Sequence, residues 1–214
     1  CVANDCDISY CSFYFYFPYN GFRLPLPVTC RTAVYDSRHA LNLLIRDLTM
    51  HHFAWNKLFR RSLFLENDVA FTQMYFEDVA TSPRLYYHAK RVAVTSKPLY
   101  NYTRRRGSIL KSMNAKKIND FIRTLGYIRN FLEEADDFRA FRKSFHKFAR
   151  RMKVVNWYSV LRLHVITLNM RGMWKNIKNS NRSIRYFMSN DYRPHKGQPI
   201  LPFPVIQPQR RGAK

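Results

Sequence analysis

The sequence predicts an α/β domain followed by an α-helical, strongly basic extension. Two segments rich in aromatic and β-branched residues, Ile8–Phe17 and 92–95, carry strand signals, and apolar residues between them recur at helical spacing. From Phe138 onward strand-like runs stop, and bulky apolar residues repeat every three or four positions among Lys and Arg. These shifts divide the chain into an α/β part (residues 1–112), a basic helical part (113–192) and a proline-rich tail (193–214).

The 214 residues are 46% hydrophobic and 16% aromatic, enough for a sizeable core and contrary to a disordered chain. Because the chain begins with Cys1 rather than Met, a fragment, a processed form or an incomplete reading of the gene is expected. Cys1, Cys6, Cys11 and Cys30 lack Cys-x-x-Cys spacing and have no His cluster beside them, so they read as free thiols in a reducing compartment. No apolar run approaches the roughly 20 residues of a membrane span. The net charge of +23 calls for anionic partners: nucleic acid, an anionic membrane surface or phosphate-bearing substrates.

In chain order, Ile8–Phe17 reads as a strand closed by a turn at Pro18-Tyr19-Asn20-Gly21. Leu24 to Pro27 is proline-punctuated and reads as an edge or loop. Asp36 or Ser37 can cap a helix over 37–48 with Leu41, Leu44, Ile45 and Leu48 on one face. His51 and His52 have no third ligand in view. Trp55-Asn56-Lys57 opens a short helix with Leu58, Phe59, Leu63 and Phe64, in which Trp55 is either a core anchor or a substrate contact.

Next comes Glu77-Asp78, conspicuous among only fourteen acidic residues. Ser82 as N-cap and Pro83 at the first helical position predict a helix over 83–90. An extended stretch reaches Tyr102, and then follows the basic loop Arg104-Arg105-Arg106-Gly107-Ser108. A carboxylate entering a helix, followed by a basic Gly/Ser loop, suits an anionic substrate: one group takes a proton while cations and N–H groups hold phosphate. By itself Glu77-Asp78 is equally a helix-entry pair with surface ion pairs.

Asn114 caps a helix over 114–133. Glu133, Glu134, Asp136 and Asp137 form an acidic, solvated hinge. The stripe Phe138, Phe141, Phe145, Phe148 and Met152 then lies among cations; residues 138–193 hold fourteen Lys or Arg and one acid, Asp191. Such a helix either rests on an anionic membrane surface or docks on protein with a solvated basic back. Residues 154–170 are apolar on several sides and are expected to be buried in protein or in an interface. The last residues, with five prolines after 190, read as a tail.

The stretch MYFEDVATSPRLYYHAKRVAVTSKPLYNYTRRRGSILKS resembles the C-terminal half of the catalytic domain of family-two glycosyltransferases with the GT-A fold. HHFAWNKLFRRSLF is similar to the Trp-Asn-Lys-Leu-Phe segment of the members that make bacterial polysaccharides. The matching pieces fall within residues 7–112. The resemblance implies that Asp78 is the general base of an inverting transfer and that Glu77 orients the acceptor. Trp55, Asn56 and Lys57 would lie at the substrate, and Arg104, Arg105, Arg106 and Ser108 at the donor diphosphate.

The implied partners are a nucleotide-sugar donor, a saccharide or lipid-linked acceptor and an anionic membrane surface, with no nucleic acid. The implied location is cytoplasmic, at the inner face of the cell membrane. A divalent Mg or Mn is expected for the full-length enzyme, with ligands outside this chain. Asp5 and Asp7 imitate the family's Asp-x-Asp, but they precede an apolar strand instead of following one. The nucleotide-binding half is not found here, so the chain is expected to be a truncated form, inactive alone. The other function classes in play are a basic nucleic-acid-binding protein and a peripheral membrane scaffold.

Overall fold

The computed structural model describes residues 5–25, 31–103, 114–165, 168–194 and 197–208. They form two compact units, Cys1–Thr72 with Glu77–Ile109, and Gln73–Phe76 with Leu110–Lys214. The first is α/β and the second helical.

In the first unit, β1 (Ile8–Phe17) is the axis of a five-stranded mixed sheet in which β2 (Phe22–Pro25), β1, β5 (Arg91–Thr103) and β3 (Ala33–Asp36) lie side by side. β5 runs parallel to β1, with Ile8 opposite Val92 and Tyr16 opposite Thr103. β2 and β4 (Lys57–Phe59) pair antiparallel with opposite ends of β1, and β3 pairs antiparallel with β5. Ile8, Tyr10 and Phe13 are buried, so the aromatic run is a sheet core. α1 (Ser37–Arg46) is capped by Asp36, whose carboxylate accepts from His39 N at 2.9 Å, and it buries Leu41, Leu44 and Ile45. It ends at Asp47 in the left-handed conformation, so Leu48 lies beyond it and is exposed.

Three local expectations are corrected. The helix expected from Trp55 is a strand: β4 pairs Lys57, Leu58 and Phe59 with Tyr10, Ser9 and Ile8, and only then does the one-turn α2 (Ser62–Leu65) follow. Pairing with the open edge of β1 outweighs local periodicity. The helix expected to start at Pro83 starts at Glu77, and α3 (Glu77–His88) carries Pro83 inside it. A proline there removes one hydrogen bond and costs about 3 kcal/mol. Val79, Ala80, Leu85 and Tyr86 are all buried, which extends one apolar face across the proline and offsets that cost. The strand expected at 92–95 continues to Thr103, because register shifts between Cys11 and Phe13 accommodate Pro98 in a bulge. β2 is an exposed edge.

In the second unit, α4 (Ala115–Glu134), α5 (Phe138–His164) and α6 (Met170–Met188) pack pairwise. Asn114 caps α4 by accepting from Lys117 N at 2.8 Å. Phe138, Phe141, Phe145, Phe148 and Met152 are all buried, so this stripe is helix-packing core and not a lipid contact. Of the apolar residues after it, Val160 and Leu163 are buried within the unit, whereas Val154, Trp157, Tyr158 and Leu161 are exposed. In the acidic hinge, Glu133 is not merely solvated, since Arg129 holds it at 2.7 Å.

The proline-rich tail has no helix or strand but is fastened to the bundle. Asn119 grips both polar groups of Val205 (2.7 and 3.0 Å), and Asn176 grips both of Ile206 (3.1 and 2.8 Å). Gly126 of α4 leaves room for Pro199; a Cβ there would sit 2.5 Å from it. Among the described residues, no helix is long and apolar enough to cross a membrane.

Candidate functional site

The loop between α1 and β4 wraps around one ammonium group. Lys57, the first residue of β4, is 8% exposed, and its Nζ donates to His51 O at 2.7 Å, to Phe53 O and to Asn56 Oδ1 at 3.1 Å. The ammonium also lies 4.9 Å from the centre of the Tyr10 ring. Asn56 Nδ2 donates to Cys11 O at 2.9 Å, and Asn56 O accepts from Cys11 N at 3.1 Å. Ser82 Oγ of α3 donates to His52 O at 2.9 Å, which ties the same loop to the helix that carries Glu77 and Asp78. Asn56 and Lys57 are therefore spent within the protein, as positioning residues for the loop.

Trp55 sits in an aromatic cluster at the tip of this loop. It stacks on Phe53 (4.9 Å, 14°), meets Phe13 edge-on at 4.7 Å, and is flanked by Tyr100 at 4.8 Å and Tyr102 at 5.0 Å. These are the surroundings of an anchor. The open ring is that of Tyr100, 38% exposed. Tyr100 and Tyr102 come to the same side of β5 because strand residues two apart share a face. Nothing in the sequence alone pointed to Phe53, Tyr100 or Tyr102; the usable signal is the alternation Pro98, Tyr100, Tyr102 within a strand that runs past its bulge.

Glu77 and Asp78 form the first turn of α3, entered through Phe76 at φ 63°, a conformation that bulky residues adopt only under constraint. Glu77 is exposed and Asp78 half-buried, with Asp78 Oδ1 accepting from Val79 N at 2.9 Å. Burial, then the Glu77 charge, push the Asp78 carboxyl above the usual carboxylate range, while Val79 N–H and Lys57 pull the other way. Burial holds the Lys57 ammonium down to about 7, with Asp78 and Asp47 partly restoring it. A carboxylate with a raised proton affinity thus lies within electrostatic reach of an ammonium with a lowered one. Perturbed pairs of this kind serve proton transfer near neutrality.

Asp5 and Asp7 are engaged differently. Arg60 reaches Asp5 Oδ1 at 2.8 Å and Asp7 Oδ1 at 2.9 Å, and Asp7 Oδ2 accepts from Lys90 N at 2.7 Å. With Arg60 on both carboxylates, this pair does not fit a divalent cation. Among the described residues no three His, Cys, Asp or Glu side chains are grouped closely enough to hold a metal. Cys6 is buried and Cys11 is a free, half-buried thiol, and Cys1 and Cys30 lie outside the described residues, as do Arg104, Arg105, Arg106 and Ser108. No family model matches the chain, and no curated protein matches it.

Proposed function

We propose that the first unit carries the acceptor-side, proton-accepting part of an inverting nucleotide-sugar glycosyltransferase of family two, with the GT-A fold, acting in bacterial surface polysaccharide synthesis. The observation that carries this reading is the position of Asp78: half-buried in the first turn of α3, beside exposed Glu77 and within electrostatic reach of the buried Lys57. In this reading the acceptor hydroxyl gives its proton to Asp78 as its oxygen attacks the anomeric carbon. The bond to the nucleoside diphosphate oxygen breaks on the opposite face, so the configuration inverts. Exposed Glu77 holds a neighbouring acceptor hydroxyl, and the open ring of Tyr100 offers a flat apolar face to a sugar ring.

Lys57 and Asn56 keep the loop and α3 in register. Arg104, Arg105, Arg106 and Ser108 are assigned to the donor diphosphate on sequence alone, where fixed cations stabilise the leaving group. No step is assigned to a metal, because the described residues offer no fitting donor set.

The test is transfer from a panel of nucleotide sugars to saccharide and lipid-linked acceptors, with acceptor binding measured in parallel by calorimetry. Transfer or saccharide binding that Tyr100→Ala weakens without unfolding supports the reading. Absence of both across the panel overturns it.

A further inference from the structure

The outward face of α5 changes character halfway along the helix. At about 100° per residue, Arg139, Lys143, Lys147 and Arg150 follow one line, which continues through Val154, Trp157, Tyr158, Leu161 and Val165. All of these side chains are exposed. The opposite face is buried throughout, by Phe141 and Phe145 in the first half and by Asn156, Ser159, Val160 and Leu163 in the second. The second half is therefore apolar on both faces, with Val160 and Leu163 inside beside Asn156 and Ser159 and large apolar side chains outside, which is unlike a helix packed for water on its outer face.

α6 supplies a second, independent feature. Arg171, Lys175, Lys178, Arg182 and Arg185 recur at spacings of four, three, four and three, on one side of the helix. With Trp174, 57% exposed, they line an open groove of about 710 Å³ that contains no acidic residue. Trp157 Nε1 donates to Asn181 Oδ1 at 3.0 Å, which joins the apolar strip of α5 edge to edge with the cationic strip of α6.

We propose that this joined face of α5 and α6 is a docking surface for an anionic lipid bilayer, independent of the glycosyltransferase reading. The α5 strip enters the boundary between headgroups and acyl chains, the α6 cations meet lipid phosphates, and Trp157 and Trp174 sit at the interface between them. The aliphatic residues choose lipid over nucleic acid: Val154, Leu161 and Val165 contribute nothing to a phosphate backbone and are unfavourable to leave in water. The depth is interfacial, since Arg162 lies 5.8 Å from the Tyr158 ring and its guanidinium must stay with the phosphates.

The full chain is sedimented with vesicles of phosphatidylcholine alone, and with vesicles containing about 30% phosphatidylglycerol, at about 0.1 M salt. Binding to the anionic vesicles is expected to be at least ~10-fold tighter and to weaken with salt. Brominated acyl chains should quench the tryptophan emission. Val154→Ser/Tyr158→Ser/Leu161→Ser alters only exposed side chains and should cut vesicle binding ~10-fold or more with an unchanged circular dichroism spectrum. Lys175→Gln/Lys178→Gln should cut it roughly 30-fold on anionic vesicles only. Equal partition into both vesicles, or no quenching on binding, overturns the proposal. So does tighter binding to a single-stranded oligonucleotide that survives the serine triple, which assigns the face to nucleic acid. Should the triple not fold, the quenching and the lysine pair decide alone.

Discussion

The first unit holds two acidic pairs that look alike in the sequence and differ in the folded chain. Asp5 and Asp7 precede β1 and share Arg60, with Asp7 also bonded to the backbone of Lys90. Glu77 and Asp78 open α3, and Asp78 lies within electrostatic reach of a buried lysine whose hydrogen bonds go to the loop instead. One pair is neutralised by direct contact and holds the start of β1 to its neighbours. The other keeps a carboxylate whose burial is only partly compensated. Charge count does not separate structural from chemical acids; what each carboxylate touches does.

The largest expected effect is on catalysis at Asp78. Asp78→Asn keeps the shape and removes the proton acceptor, so transfer by a chain restored to full length should fall by about 10² to 10⁴-fold with donor affinity little changed. Stability should move the other way. The folded carboxyl keeps its proton to a higher pH than the unfolded one, so ionising it lowers stability as pH rises through that interval. The asparagine variant should lack this acid-range slope and be at least as stable as the native chain at neutral pH. Transfer kinetics beside thermal melts at several pH values check both. Near-normal transfer by the variant would reduce the two pairs to one structural kind.

Second is Lys57, whose charge acts on Asp78 from within the loop. Lys57→Met strands acceptors at His51, Phe53 and Asn56, and each costs about 1–3 kcal/mol. A net loss of about 3 kcal/mol is expected, read from urea denaturation. Between about 7 and 10.5 the unfolded lysine holds a proton that the folded one has released, so native stability rises with pH across that window. The methionine variant should be flat there. A native profile without the slope would mean that Lys57 remains charged, and the neutral-pH proton pair with it would be lost.

How far this contrast was legible in the sequence varies by element. β1 was readable to the residue, because ten β-favouring residues end in a turn signal, and the start of α4 was readable from Asn114. The strand at Lys57 was not, since its hydrogen bonds go to β1, dozens of residues earlier. The start of α3 was missed because Pro83 is a strong local signal, and only the buried face across it shows that the helix passes through. The α5 stripe was visible as a period, but a period does not say which face is covered: Phe141 and Phe145 are inside, and Trp157 and Tyr158, equally apolar in sequence, are outside. Asp78 stood out through its neighbours in sequence, whereas the burial that tunes it belongs to the fold.

Third in size is Asp7, 8% exposed, accepting from Arg60 and from Lys90 N. Hydrogen bonds to a buried charge are worth about 1.5–3 kcal/mol, and asparagine keeps only one carbonyl acceptor. Asp7→Asn should cost about 2 kcal/mol by chemical denaturation while leaving saccharide binding unaltered. Loss of acceptor binding with full stability would place Asp7 in the site rather than under it.

The smallest effect is expected at Asp5, and it bears most directly on the sequence's imitation of a metal motif. Asp5 is exposed and, among the described residues, is paired with Arg60, itself about half-exposed, at 2.8 Å. The Arg60 hydrogen bond and charge hold the Asp5 carboxyl below its usual range, so what stability the pair gives is present at neutral pH and fades as pH falls through that lowered value. Solvent and salt screen such a contact, and its loss frees two side chains. Asp5→Asn should therefore leave the melting temperature at neutral pH unchanged within error, in low and in high salt. A metal ligand behaves otherwise: Mg or Mn would raise the melting temperature of the native chain, as any ligand of the folded state does, and Asp5→Asn would abolish the rise. The measurement is a melt with and without millimolar Mn for both proteins. Metal-dependent stabilisation that disappears in the variant would mean that Arg60 yields its place to a cation, and that both acidic pairs belong to the chemistry.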